Sequence, residues 1–287
     1  MKRSIRLAAI TDEFSADLDV ALDAMASVGM TGVELRTIKG RNIVDFSDAE
    51  IDDVMARVQA RGMAVISIAS PVLKCVLPDA PALDTRFQQD AFASRHTFDD
   101  QPRLAARAFD IAARTGAGFL RVFSYWRTVD PEQCLDRIVD ALSGLAREAR
   151  GRNIIVGLEN EHACNVATAA ESARLLAMID DPALGLIWDP ANALVAGETP
   201  FPEGYRLLPA SRIVHVHAKD CDVHEHTPTW GPIGEMSVDW YGQVRALEHD
   251  GYTGWISLET HWPGPGGDKM QASLICGRNL QKLVGQA

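Results

Sequence analysis

The chain has 287 residues, 47% apolar and 23% charged, the balance of a globular protein, and no run approaches the roughly 20 apolar residues a membrane span needs. A net charge of −11 without any Lys/Arg cluster repels phosphate backbones, so nucleic acid is excluded as the expected partner. Five widely spaced cysteines form no CxxC pair and read as reduced thiols of a cytoplasmic protein, and the early apolar stretch breaks at Thr11-Asp12-Glu13, too soon for a signal peptide.

In chain order, short runs rich in Val, Ile and Leu alternate with longer segments of helical period. The expected strands are Leu7–Ile10, Gly32–Leu35, Ala64–Ala69, Phe119–Phe123, Ile154–Leu158, Leu184–Trp188, Ile213–Val216 and Trp255–Leu258. Helices are expected near 17–28, 48–61, 101–115, 131–150, 167–179, 237–250 and 268–284. After the sixth strand, Pro200, Pro202 and Pro209 leave room only for short helical pieces. Ser47-Asp48-Ala49-Glu50 matches a capping box, and Gly29, Gly62, Gly116, Gly151 and Gly251 mark helix ends.

Eight βα units without a linker predict one domain over residues 1–287, a (β/α)8 TIM barrel, with a doubly wound open sheet as the alternative. Segments 71–100 and 220–236 follow strand carboxyl ends and are expected to overhang the barrel mouth as lids.

Four consecutive strands then end in chemistry. "IIVGLENEH" places Glu159 at a strand tip, "LGLIWDPAN" ends in Asp189, "IVHVHAKD" carries His217, and "WISLETHW" ends in Glu259. Carboxylates converging on one mouth repel each other unless a cation sits among them. Their oxygens with one imidazole suit a single divalent ion, Mn2+ first, with Mg2+, Co2+, Fe2+ and Zn2+ as alternatives. A lone acid at a strand end is ordinarily a cap or a surface ion pair; four in succession, each after an apolar run, are not. His215 shares a face with His217 but lies one layer deeper, where a hydrogen-bonded core histidine is the simpler reading. Glu34 on the second strand reads as structural. Arg121, inside the fourth strand, needs a buried anionic partner and is placed near the ligands. His162 and Lys219 are further expected substrate contacts, although Lys219 could equally pair with Asp220 or Glu161.

With these residues the chain resembles the xylose isomerase-like TIM barrels, the sugar phosphate isomerase/epimerase superfamily. The resemblance rests on "GLENEH", "WDPAN", "HVHAKD", "GPIGEMSVDW" and "SLETH" and spans nearly the whole chain. It implies Glu159, Asp189, His217 and Glu259 as metal ligands, with Glu159 and Glu259 as the catalytic acid/base pair. The implied activity is metal-dependent isomerisation or epimerisation of a small ketose through a stabilised enediolate. A dehydratase of a cyclic keto-polyol is the alternative, and a non-catalytic sugar-binding protein ranks below both. Trp230 stands where the endonuclease branch has a histidine, so a three-metal centre is not expected. Met236 replaces the second Gly of the usual "GEG", and the resemblance implies a substrate contact at Asn192, which replaces the substrate-facing histidine of the ketose 3-epimerases. The expected partner is a small carbohydrate, with no membrane or nucleic acid, and a homo-oligomer stays open.

Overall fold

In the computed structural model, which describes residues 5–87 and 95–286, eight parallel strands close into a barrel. They are β1 (Arg6–Ile10), β2 (Gly32–Leu35), β3 (Ala64–Val72), β4 (Phe119–Val122), β5 (Ile155–Glu159), β6 (Leu184–Trp188), β7 (Ile213–Ala218) and β8 (Trp255–Leu258). Each pairs with its sequence neighbours, and β1 closes on β8 from Arg6 opposite Trp255 to Ala9 opposite Leu258. Both sheet edges are thereby paired, which excludes the doubly wound alternative.

Three strands run past their expected ends because the backbone ladder continues beneath polar side chains. β5 includes Glu159, opposite Ile187, and β7 includes His217 and Ala218, opposite Ser257 and Leu258. β3 reaches Val72, opposite Val122. Glu159 and His217 therefore stand on rigid strand backbone rather than in loops.

Helices α1 (Leu18–Ser27), α2 (Asp48–Ala60), α3 (Gln101–Thr115), α4 (Leu135–Arg152), α5 (Ala169–Met178), α6 (Pro190–Val195), α7 (Trp240–His249) and α8 (Lys269–Gln286) surround the sheet. The short α6, with brief turns after it, is what the prolines dictate. Ser47 and Glu50 form the expected capping box of α2, and Thr168 and Glu171 form a second on α5. Gly151 does not end its helix: α4 continues to Arg152, and Asn153 takes the left-handed position at φ 55°.

The main core lies between sheet and helices, while Ala8, Ile66, Phe119 and Ile187 form a separate apolar cluster with Ile155 and Trp255. Strand alternation sends every second residue inward, so above that apolar floor come Arg121, Glu159, His217 and their neighbours. Phe119 touches His215 at 4.7 Å between ring centroids, where the apolar layer gives way to the polar one.

Two hairpins sit at strand carboxyl ends. Segment 220–236 holds the pair Asp220–His224 and Thr227–Gly231. A smaller pair, Thr37–Ile38 with Arg41–Asn42, follows β2 and was too short to show a period in the sequence. Part of the other expected lid, residues 88–94, lies outside the described residues.

Candidate metal centre and cavity

The sequence around Asp189 fixes its side chain before any ligand arrives. Asp189 is the N-cap of α6, and its Oδ1 accepts the Asn192 N–H at 2.9 Å, with Pro190 at the first helical position. Oδ2 is left facing inward. Asn160 ties the tips of β5 and β6 together: its Oδ1 accepts from the Asp189 N–H and its Nδ2 donates to the Asp189 carbonyl, each at 2.8 Å.

Glu159, Asp189, His217 and Glu259 offer ligand atoms that all lie within 4.8 Å of one another, and all four residues are buried. His217 Nδ1 is 3.2 Å from Glu159 Oε1 and 3.5 Å from Glu259 Oε2. Among the described residues Glu159 Oε2, Asp189 Oδ2 and His217 Nδ1 have no hydrogen-bond partner, although buried polar atoms normally have one. Three carboxylate oxygens and an imidazole nitrogen converging with orphaned lone pairs are the donor set a hard or borderline divalent cation takes. The residues fit such an ion.

Three cations already lie against this cluster. Lys219 Nζ donates to Glu259 Oε2 at 2.9 Å and stands 2.8 Å from Asp189 Oδ2, off the hydrogen-bonding direction. Arg36 Nη1 donates to Glu259 Oε1 at 2.9 Å, while its other nitrogens hold Asp12 and Glu13. Arg121 Nη1 is 3.3 Å from Glu159 Oε2, and Nη2 donates to the Ala69 carbonyl at 3.1 Å. The anionic partner that Arg121 required is therefore Glu159. Lys219 pairs with Asp189 and Glu259 rather than with Asp220, which instead accepts backbone N–H groups of Cys221, Gly234 and Val238 and so folds the hairpin segment onto β7.

The pKa directions follow from this crowding. Burial would drive Lys219 down, but Asp189 and Glu259 hold its ammonium well above the usual range. Burial likewise opposes the charge of Glu259, and Lys219 with His217 overrides it, holding that carboxyl well below the usual range. For Asp189 burial wins over Lys219, and its pKa is raised. His217 is held well above the usual imidazole range because Glu159 and Glu34 outweigh burial.

Glu34 is the residue whose importance the sequence understated. Fully buried on β2, it receives His215 Nε2 at 2.7 Å, and His217 Nε2 lies 3.2 Å and 3.5 Å from its two oxygens. A carboxylate only accepts, so His217 Nε2 must carry the hydrogen there, which leaves Nδ1 aimed at the ligand cluster. Burial keeps His215 below the usual imidazole range despite Glu34, as suits a neutral core histidine.

His162 Nδ1 contacts Asn192 Oδ1 at 2.8 Å and Glu161 Oε1 at 2.9 Å. Burial would lower its pKa, but Glu161 raises it. Asn192 Nδ2 reaches Glu159 Oε1 at 3.4 Å. A cavity of about 510 Å3 opens above the cluster, lined by Arg121, His162, Glu259 and residues of the β2 and β3 ends, including Arg36 and Lys74. Asn192 and Lys219 are not among its lining residues and stand behind the carboxylates. Arg36 and Lys74 were missed in the sequence; the only signal was a basic residue shortly after an apolar strand.

A closed parallel barrel with a buried carboxylate–imidazole cluster at the strand carboxyl ends defines an α/β barrel with a candidate metal site. The chain belongs to the xylose isomerase-like TIM barrel family, whose sequence profile matches residues 22–280. An inosose dehydratase of Lacticaseibacillus casei is 25% identical over 139 residues, 43% of this chain and 46% of that relative, so the chain matches about half the relative's length. The IOLI protein with a binding zinc atom superposes with a TM-score of 0.77 at 16% identity, covering 98% and 99% of the two chains. A D-allulose 3-epimerase from Methylomonas sp., solved with D-allulose, gives a TM-score of 0.67 at 16% identity over 99% and 95%. These structural likenesses speak to the fold. Among the described residues no helix is long and apolar enough to cross a membrane.

Proposed function

We propose that the protein is a divalent-metal-dependent enzyme that moves a proton at the carbon beside a carbonyl of a small hydroxy-ketone, isomerising or epimerising it. The observation that carries the reading is the pair of buried carboxylates, Glu159 and Glu259, set around orphaned donor atoms in a cluster that meets a ligand-sized cavity through Glu259. A bound divalent cation, Mn2+ first among the candidates, supplies polarisation of the substrate oxygens.

The chain's own residues divide the proton work. Glu259 accepts from both Arg36 and Lys219, which weakens it as a base. Glu159, with Arg121 Nη1 3.3 Å and His217 Nδ1 3.2 Å away and a long hydrogen bond from Asn192, is the carboxylate assigned to take the proton first. Glu259 then serves the return step on the other side of the substrate. Arg121, beside Glu159, places fixed positive charge where an oxygen gains negative charge.

Dehydration is the second reading. His162 lines the cavity together with Glu259, and Glu161 favours its protonated form, so an acid for a departing β-hydroxyl is present in the lining. The inosose dehydratase relative supports the same chemistry. Small ketoses and cyclic ketoses incubated in D2O with Mn2+ distinguish the readings. Deuterium at the carbon beside the carbonyl supports proton exchange, an ultraviolet-absorbing unsaturated product supports dehydration, and neither with any ketose overturns the enzyme reading.

A further inference from the structure

The chain carries a net charge of −11, yet its mouth cavity is lined by Arg36, Lys39, Arg41, Lys74, Arg95 and Arg121 against three carboxylates. One of those carboxylates, Glu259, is already committed to the ligand cluster.

Three of the cations are buried, which is rare for these residue types unless a partner or a ligand justifies it, and Arg36 has its partners in Asp12, Glu13 and Glu259. Lys74 is 8% exposed, with its ammonium 4.6 Å from the Phe123 ring centroid, 5.5 Å from that of Trp126 and 3.7 Å from Glu161 Oε2. Arg121 is 5% exposed, and its guanidinium lies 4.8 Å from the same Phe123 centroid. Its Nε is buried without a hydrogen-bond partner among the described residues. Both side chains line the cavity and converge on one aromatic ring. The orphaned Nε–H of a strand-mounted arginine is a donor awaiting an acceptor, and a neutral hydroxyl satisfies it less well than an anion does.

We infer that the substrate is an acid: its hydroxy-ketone carries a carboxylate or a phosphate, held by Lys74 and Arg121 beside Phe123. The inference rests on the proposed catalytic site and adds the charge class of what enters it. The anion lies on the β3–β4 side of the mouth, and the reacting carbons face Glu159 and Glu259.

Calorimetric titration of the protein with Mn2+ tests this with matched probes: ribose 5-phosphate against ribose, and glucuronate against glucose. The expected result is that one anionic member binds about tenfold or more tightly than its neutral partner, the scale of a charge-assisted hydrogen bond. Lys74→Met, which keeps the stem over Phe123, and Arg121→Met should each erase most of that surplus. The pair that shows the surplus identifies phosphate or carboxylate. Lys74→Met keeps the test open if Arg121→Met fails to fold. Equal affinities within both pairs, failure of both anions to bind at millimolar concentration, or a surplus that survives Lys74→Met overturns the inference. Deuterium uptake by a neutral ketose with equal affinities defeats this inference alone. An anion preference without any metal binding defeats the proposed function alone.

Discussion

Replacing Glu34 by Gln should weaken metal binding although Glu34 is no part of the ligand cluster. The exchange keeps shape and volume, so packing around this fully buried residue is undisturbed. What changes is the hydrogen-bond polarity facing two imidazoles. In the native protein both carboxylate oxygens accept, so His215 and His217 each present Nε2–H to them. A Gln amide has one oxygen, and its nitrogen donates. His215, with the shorter contact of 2.7 Å, keeps the oxygen, and His217 Nε2 then faces an N–H. The neutral ring of His217, the form a metal needs, then favours its proton on Nδ1, the atom that points at Glu159 and Glu259. Metal binding then has to reverse that tautomer. Loss of such a partner typically lowers metal affinity about 10- to 100-fold, or roughly 1.4–2.7 kcal/mol. Competition against a chelator measures the affinity, and 15N NMR of the imidazoles reads the tautomer directly. A folded Glu34→Gln protein that binds Mn2+ within about twofold of wild type and keeps His217 protonated at Nε2 would refute the reasoning.

Elemental analysis after metal loading should find one divalent ion per chain; none would remove the site, and about three would revive a phosphodiesterase-type centre. Glu159→Gln and Glu259→Gln, assayed at saturating metal so that affinity and proton transfer separate, should each lose about 10²- to 10⁴-fold in rate. Full activity in both variants would leave the metal purely structural or electrophilic. Glu50 offers a pH test away from the site: the Ser47 N–H and then Arg41 lower its carboxyl from 4.5 to about 2. A depressed acid contributes stability above its unfolded pKa and loses it as pH falls toward the folded one. The stability gap between wild type and Glu50→Ala in urea melts should therefore be full above 4.5 and shrink as pH falls toward about 2, and a gap constant with pH would count against the capping-box charge.

The barrel and the four-residue cluster were legible because both depend on local pattern. Apolar runs locate strands, and a polar residue at the end of such a run stands out against the burial around it. Arg36 and Lys74 did not stand out, because a basic residue just past a strand looks the same in sequence whether it is solvated or buried. Arg36 is buried by its bond to Glu259, 223 residues away, and only barrel closure makes that contact. Glu34 was hidden for the same reason: its two histidine partners lie 181 and 183 residues further along. Gly151 misled because glycine is tolerated inside α4 when Asn153 can take the left-handed turn.

The distribution of charge inside the barrel fits the proposed chemistry better than it fits a role in stability. Glu159, Asp189, Glu259 and Glu34 are buried with Arg36, Arg121 and Lys219. Buried ion pairs of this kind contribute little net stability, because desolvation offsets most of the attraction, while apolar side chains of similar volume often do as well or better. The chain already has an apolar solution one layer below, where Ala8, Ile66, Phe119 and Ile187 fill the barrel floor. A packing role alone would let that solution continue upward. Instead Phe119 is followed by Arg121 and Ile187 by Asp189, switching from packing to charge within a single inward step at both places. Charges fixed in a low-dielectric layer need no reorganisation when a substrate oxygen gains charge, and that benefit falls to a reaction, not to the fold.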